Sequence, residues 1–406
     1  MSTDVAVTDV AIVGAGPSGS AAAITLAHAG RHVLLVDKAT FPRDKFCGDG
    51  LTSGALSLLE ELGLDLGALP SWREVTDFRI RTPRGRIVHY PLPRGQGVFA
   101  GVARRMELDA ALVELARAAG VEVIEGHAVT GAVQSPERVS LEVDGIGPVH
   151  ARHVIGADGM WSPLRRLLGL DRPGYRGEWH AFRQYVRGVE APADRELWIL
   201  FERDLLPAYF WSFPVGDGGA NIGFGIRRGG ALTTRDMKAL WPDILARPHV
   251  RELLGPDAEP EGPHRAWPIP AAVDGTILTD GRVLFVGDAI AAADPMSGEG
   301  IGQALATGRW AAEAILTGSA TWPIDVTRRY EARVRRDLGR DQRFAATLSH
   351  TLAHPLGAEL AIGLSGLTAW TRGNFARWLF EDYPRAAILT PDRWSRTHLR
   401  PTGAYR

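Results

Sequence analysis

Short apolar runs alternate along the chain with glycine-rich turns and with stretches that carry an apolar residue every three or four positions. Residues 10–13 (VAIV) and 33–36 (VLLV) are continuous apolar runs, the pattern of strands buried on both faces. Between them the spacing predicts a helix over 20–29, ended by Gly30. Strand, glycine turn, helix and strand make a βαβ unit. Next, 53–62 reads as a helix with a stripe at Leu56, Leu59 and Leu62. Residues 75–100 alternate in two runs around Pro-Arg-Gly turns, which predicts a hairpin inserted between elements of the first unit. A helix over 105–119 buries Leu108, Ala111, Leu112 and Leu115. Short strands follow at 121–124, twice between 128 and 143, and at 154–156, with a helix after Ser162.

From about Pro173 to Pro270 the pattern shifts to alternation rich in aromatic residues. That predicts a mixed or antiparallel sheet, interrupted by short helices at 233–246 and 248–254. An apolar run at 282–286 then meets a glycine-rich turn and a helix from Ile301. Two further helices are predicted over 326–346 and 351–378, and the tail from Pro391 is irregular. The order fits an α/β unit with an inserted α+β sheet and a helical C-terminus. Expected boundaries are 1–72, 101–172 and 278–325 for the nucleotide-binding part, 73–100 and 173–277 for the sheet part, and 326–406 for the helical region.

Composition narrows the function classes. At 406 residues the chain exceeds one ordinary domain, and 45% hydrophobic content is ample for a core. Basic residues number 46 and acidic ones 47, so the total charge points to no nucleic-acid partner. The single Cys47 rules out an internal disulfide and fits a reducing, cytoplasmic compartment. The opening MSTDVAVTD reads as no signal peptide, and no run reaches about 18 apolar residues, the length of a membrane span. Residues 360–371 are uncharged; they read as a buried helix or one at a membrane surface.

The chemistry concentrates at strand ends. Gly14, Gly16 and Gly19 have the G-x-G-x-x-G spacing: one glycine for a tight turn, one for backbone approach to a pyrophosphate, one for helix–strand packing. Asp37, with Lys38 beside it, stands where an acid reaches a ribose hydroxyl pair, and a carboxylate there repels the 2′-phosphate of NADP. The loop carrying Arg43, Lys45, Cys47 and Gly48 is a candidate cofactor cover. Arg105 opens a helix, where the dipole disfavours a cation, so it needs either a bound phosphate or a salt bridge. Asp158 with Gly159, and Gly287 with Asp288, repeat a strand end followed by glycine and carboxylate. Pro295, Gly298, Gly300 and Ile301 form a second dipole-positive helix start. No metal-ligand cluster stands out.

Three separated signatures, GAGPSG with Asp37, GADGMWSPLRR at 156–166 and VGDAIAAADPMSGEGIGQAL at 286–305, resemble those of FAD-dependent oxidoreductases of the aromatic-hydroxylase superfamily. Within it the chain is most similar to the geranylgeranyl reductase family, through FPRDKFCGDGLT (41–52) and the Pro207-x-Tyr209-x-Trp211-x-Phe213-Pro214 pattern followed by Asn221 and Gly223. The resemblance implies a Rossmann-like FAD-binding domain with an inserted substrate domain. It also implies reduction of C=C bonds in a prenyl or other small hydrophobic substrate, with Cys47, Tyr209 and Trp211 near the flavin as the catalytic candidates and Cys47 placed to be the proton source. Phe182, Phe213 and Trp267 are the expected substrate-lining aromatics. No second dinucleotide fingerprint appears, so electrons would come from NADPH or NADH docking transiently, or from a separate electron-donor protein. The lipid substrates of similar proteins imply peripheral membrane contact. The same family label covers monooxygenases that hydroxylate or epoxidise natural products of secondary metabolism, and that alternative stays open. Tryptophan halogenases fit less well: Trp267-Pro268-Ile269-Pro270 lacks their first Trp and spacer.

Overall fold

The computed structural model describes residues 7–319, 323–395, 398 and 401–406. Residues 1–6, which carry most of the leader reading, lie outside this range, as do 320–322 at the edge of an expected boundary.

Two large sheets and a small one organise the chain. In the first, the strands Val283–Phe285, Gly147–Gly156, Val7–Val13, Val33–Asp37 and Glu122–Glu125 lie side by side and parallel. Helices cover the faces, which is why Val10–Val13, Val33–Val36 and Val283–Phe285 read as unbroken apolar runs. The Gly147–Gly156 strand is longer than the predicted 154–156, because its first half pairs antiparallel with Val139–Val143. That half is less apolar, so the pattern found only its buried end. Helix Pro17–His28 packs against helix Ile301–Thr317 at backbone distance: a Cβ on Gly308 would stand 2.0 Å from the Ser18 carbonyl oxygen.

The second sheet runs Glu259–Pro260, Trp179–Arg187, Gly219–Arg227, Phe210–Val215, Leu197–Leu200, Asp77–Arg81 and Ile87–Pro91, with Arg265–Ile269 also paired to Trp179–Arg187. It is antiparallel except where Leu197–Leu200 meets Asp77–Arg81 in parallel. The predicted hairpin thus forms, as Asp77–Arg81 and Ile87–Pro91, and adds to the edge of this sheet. A three-stranded sheet of Gly50–Thr52, Ala100–Val102 and Arg73–Glu74 lies at the chain crossings between the two.

Two C-terminal expectations need correction. Instead of one helix over 351–378 there are two, Pro355–Ser365 and Ala369–Leu379. Pro355 cannot continue a preceding helix, and Thr368 caps the second with its side chain. The stretch predicted over 326–346 is helical but passes through a π turn at Arg335–Gly339. Among the described residues no helix is long and apolar enough to cross a membrane. The chain has a Rossmann-like half, an inserted mixed sheet and a helical C-terminus.

Candidate active site

The glycine turn after Val7–Val13 is built for close approach. Gly14 has φ +104°, and a Cβ there would lie 2.3 Å from the Ala157 carbonyl oxygen. On Gly16 a Cβ would meet only the Arg43 guanidinium within 4 Å, at 3.7 Å; the space beside it is open cavity. Asp37 is pinned at the rim. Its Oδ2 accepts the Ala15 N–H at 2.7 Å and its Oδ1 the Ala39 N–H at 2.8 Å.

This cavity, about 430 Å3, runs from Gly14, Gly16, Asp37 and Lys38 past Asp158, Gly159 and Asp288 to Gly298, Gly300 and Ile301. Seven Lys and Arg side chains line it against four Asp. That excess suits an anionic ligand. Asp158 Oδ1 is buried without a hydrogen-bond partner among the described residues, while Oδ2 accepts the Leu164 N–H at 2.9 Å. A buried acceptor left open at a cavity wall awaits a donor from a ligand or water. These features fit a dinucleotide: room at the glycine turn, a positive lining and an unpaired acceptor, Asp158 Oδ1, further along.

The cover loop is held by ion pairs. Arg105 engages Asp109 through two bonds, 2.7 and 2.8 Å, and Arg43 reaches the same carboxylate at 2.9 Å. The cation at this helix start is therefore satisfied by a buried intrahelical partner, and it still lines the cavity. Lys45 stacks on Trp267, 4.1 Å from the ring centroid, and burial lowers its pKa.

A second, smaller cavity of about 160 Å3 adjoins the first. Cys47, Gly48, Ala181, Trp211, Ile269, Gly298 and Gly300 line both. Its other walls are mostly apolar and aromatic: Trp179, Leu197, Ile199, Tyr209, Phe213 and, from the C-terminal region, Leu379 and Phe380. Burial pushes the Cys47 thiol up, so it is not a thiolate at neutral pH. Tyr209 donates its hydroxyl proton to the Ser297 carbonyl oxygen, tying the aromatic strand region to the glycine turn; burial raises its pKa too.

The Asn-x-Gly of the aromatic motif has a physical reading. Trp211 lies opposite Gly223 in the sheet, and a Cβ there would stand 2.2 Å from the Trp211 ring. Asn221 accepts the Trp211 Nε1–H at 3.0 Å and donates to Asp49 and to the Cys47 carbonyl at 2.9 and 2.8 Å. Asp49, fully buried, also accepts the Tyr185 hydroxyl. Burial lifts its pKa to about 6, against the lowering by Tyr185, Arg183 and Asn221.

Four expected site residues lie off the cavities. Phe182 is corrected outright: Ala181 and Arg183 line the larger cavity, so strand alternation turns Phe182 to the opposite face. There it packs with Phe224, Trp241 and His264. Gly19 serves packing, since a Cβ would stand 1.8 Å from the Gly14 carbonyl oxygen. Gly287, at φ +61°, hands its N–H to Thr307 at 3.0 Å. The Pro295 carbonyl anchors the turn to Ser349 at 3.2 Å.

The sequence reading missed one acidic cluster. Glu299 sits in the glycine turn, and its Oε1 accepts the Gly302 N–H at 2.8 Å. Glu381 accepts from Thr52 at 3.1 Å and Gln303 at 2.7 Å. Arg385 lies 3.4 Å from both Asp294 and Glu381. Burial, reinforced by Glu381, pushes Glu299 up to about 8. Glu299 was visible as the one carboxylate between Gly298 and Gly300; nothing local links it to Glu381. Among the described residues no cluster of His, Cys, Asp and Glu suits a metal ion.

A family model described as an FAD binding domain matches residues 7–320. The chain is 36% identical over 343 residues to a menaquinone reductase of Mycobacterium tuberculosis (strain ATCC 25618 / H37Rv), covering 79% of this chain and 80% of that one. It is 31% identical over 364 residues to digeranylgeranylglycerophospholipid reductase 2 of Methanopyrus kandleri, covering 87% and 88%. The crystal structure of a geranylgeranyl bacteriochlorophyll reductase-like protein from Thermoplasma acidophilum superposes with a TM-score of 0.79 at 22% identity, over 96% of this chain and 99% of that one. The dinucleotide cradle, the adjoining apolar cavity and these likenesses agree: the chain is an FAD-dependent oxidoreductase of the geranylgeranyl reductase family.

Proposed function

We propose that the protein reduces a C=C bond of an apolar, prenyl-type substrate held in the smaller cavity. The observation that carries this reading is the contact between the cavities. An apolar chamber walled by Leu197, Ile199, Phe213 and Phe380 opens onto the cofactor cavity at Trp211, Gly298 and Gly300. Reduced FAD supplies the hydride when bound. The chain's own residues bind and orient. Gly14 to Ser18 and the start of helix Pro17–His28 would hold the pyrophosphate, and Asp37 the ribose. The start of helix Ile301–Thr317 would steady negative charge on the reduced ring. Residues 1–72, 101–172 and 278–325 then serve the cofactor, and 73–100 and 173–277 the substrate. Electrons would arrive from NADPH or NADH docking transiently, or from a partner reductase. The reductase names of the relatives favour this chemistry over oxygen insertion.

The test is anaerobic. The flavin is reduced with dithionite and geranylgeraniol is added in detergent micelles. Reoxidation of the flavin without oxygen is the expected result. A flavin that stays reduced until air is admitted, with oxygen then incorporated into the substrate, would favour the monooxygenase reading.

The same reading brings the protein to a membrane surface. Leu356, Leu360 and Leu364 lie on one face of helix Pro355–Ser365, and with Leu367 and Trp370 they are 62–75% exposed. The opposite face buries Ala358 and Ile362. An unpaired stripe of leucines with a tryptophan suits insertion among lipid headgroups.

A further inference from the structure

Adding a hydride to an alkene leaves the second carbon in need of a proton, and most side chains around the apolar cavity are poor sources. Cys47 and Tyr209 are both pushed away from acidity by burial. Asp49 also lines the apolar cavity, but its carboxylate is fully buried and committed to the Tyr185 hydroxyl and the Asn221 amide. Glu299 is placed differently. Gly298 and Gly300 on either side of it line both cavities, while Glu299 itself lines only the apolar one.

We propose that Glu299 is the proton donor to the substrate carbon, standing where the apolar cavity meets the cofactor cavity. The assignment rests on the reading that the substrate is an alkene reduced by hydride. In the step, the alkene π bond is lost and two C–H bonds form. One hydrogen comes as hydride, with the two electrons of the reduced flavin; the other comes as the Glu299 proton, as its O–H bond breaks. Water returns a proton to the carboxylate.

The surroundings keep that proton in place at neutral pH. Asp294 and Glu381 share the Arg385 guanidinium, so Glu299 faces a cluster with more carboxylates than cations. Glu381 has its charge supported by Thr52, Gln303 and Arg385. Glu299 has only backbone N–H groups at the helix start and the influence of Arg385. Tyr209 from the aromatic strand region and Cys47 from the cover loop also face it, both uncharged. The folded-state pKa is raised above that of an unfolded glutamate. The protonated form is therefore full at pH 6 and is lost as pH rises through the folded value.

Glu299→Gln separates this role from capping, because Gln keeps an acceptor for the Gly302 N–H. The experiment uses FAD-loaded protein, reduced anaerobically and mixed with geranylgeraniol. Wild type should reoxidise its flavin at a rate that falls as pH rises through about 8. E299Q should reoxidise about 100-fold or more slowly, the low end of general-acid effects, with no such pH limb. Glu299→Asp should restore part of the rate and the limb. A second readout needs no turnover. The melting temperature of E299Q should gain on wild type as pH rises from 5 to 8, because in wild type the glutamate ionises only on unfolding over that range, which favours the unfolded chain, and Gln has no such proton to lose. Equal rates and equal pH profiles in wild type and E299Q overturn the proposal, as does loss of FAD binding in E299Q, which would mark a structural role. Failure of wild type to turn over anaerobically overturns the reductase reading, and this proposal with it.

Discussion

At the residue scale, the glycines were the most legible part of the site. Each meets a local constraint: a positive φ at Gly14, a close approach at Gly19, open ligand space at Gly16. Such constraints leave a mark in sequence because few other residues satisfy them. Gly16→Val should therefore fill the space proposed for the pyrophosphate. FAD affinity, followed by flavin fluorescence, should fall at least about tenfold, roughly 1.4 kcal/mol. The circular dichroism of the apoprotein should be unchanged, since no protein atom but the Arg43 guanidinium lies near the new Cβ. Unaltered affinity would remove the pyrophosphate from this turn. The meeting of Glu299 with Glu381 was not legible, because it depends on how the C-terminal region folds back against the second sheet and helix Ile301–Thr317. Cys47 reads from its position as a candidate proton source, but burial pushes its thiol up; Cys47→Ala should leave the position of the pH limb where it is, and a displaced limb would return the proton to the thiol.

At the element scale, the strands and helices of the nucleotide-binding half followed the apolar pattern closely, down to the helix Ser53–Leu62. The aromatic sheet was legible as a sheet but not in its orientation. Alternation says that Phe182 and its neighbours face opposite ways; it does not say which way the cavity lies. Register shows why the strand pair Phe210–Val215 and Gly219–Arg227 carries its motif. Gly223 leaves room for the Trp211 indole, and Asn221 holds the indole N–H. Gly223→Ala should force the indole or the strand aside, because the new Cβ would also meet the Phe182 carbonyl oxygen at 2.2 Å. A loss of about 1–3 kcal/mol in urea unfolding is expected, with a changed near-ultraviolet dichroism. Full stability with an unchanged spectrum would contradict this account of the motif.

At the scale of the whole molecule, the two adjoining cavities arise between the two large sheets, and the helical C-terminus closes the apolar one through Leu379 and Phe380. The leucine stripe on Pro355–Ser365 belongs to the same region. Replacing Leu360 and Leu364 together with Glu should weaken sedimentation with phosphatidylglycerol vesicles while leaving turnover of micellar geranylgeraniol intact. Equal sedimentation of variant and parent would dismiss this face as the membrane contact. In the proposed reaction the two cavities meet so that an alkene takes up hydrogen. The most direct measurement is the mass of the product formed from geranylgeraniol by the dithionite-reduced holoenzyme in the absence of air. The expected result is a product heavier by two hydrogens at one double bond. An unchanged substrate under those conditions, converted in air to a product carrying one added oxygen atom, would contradict it.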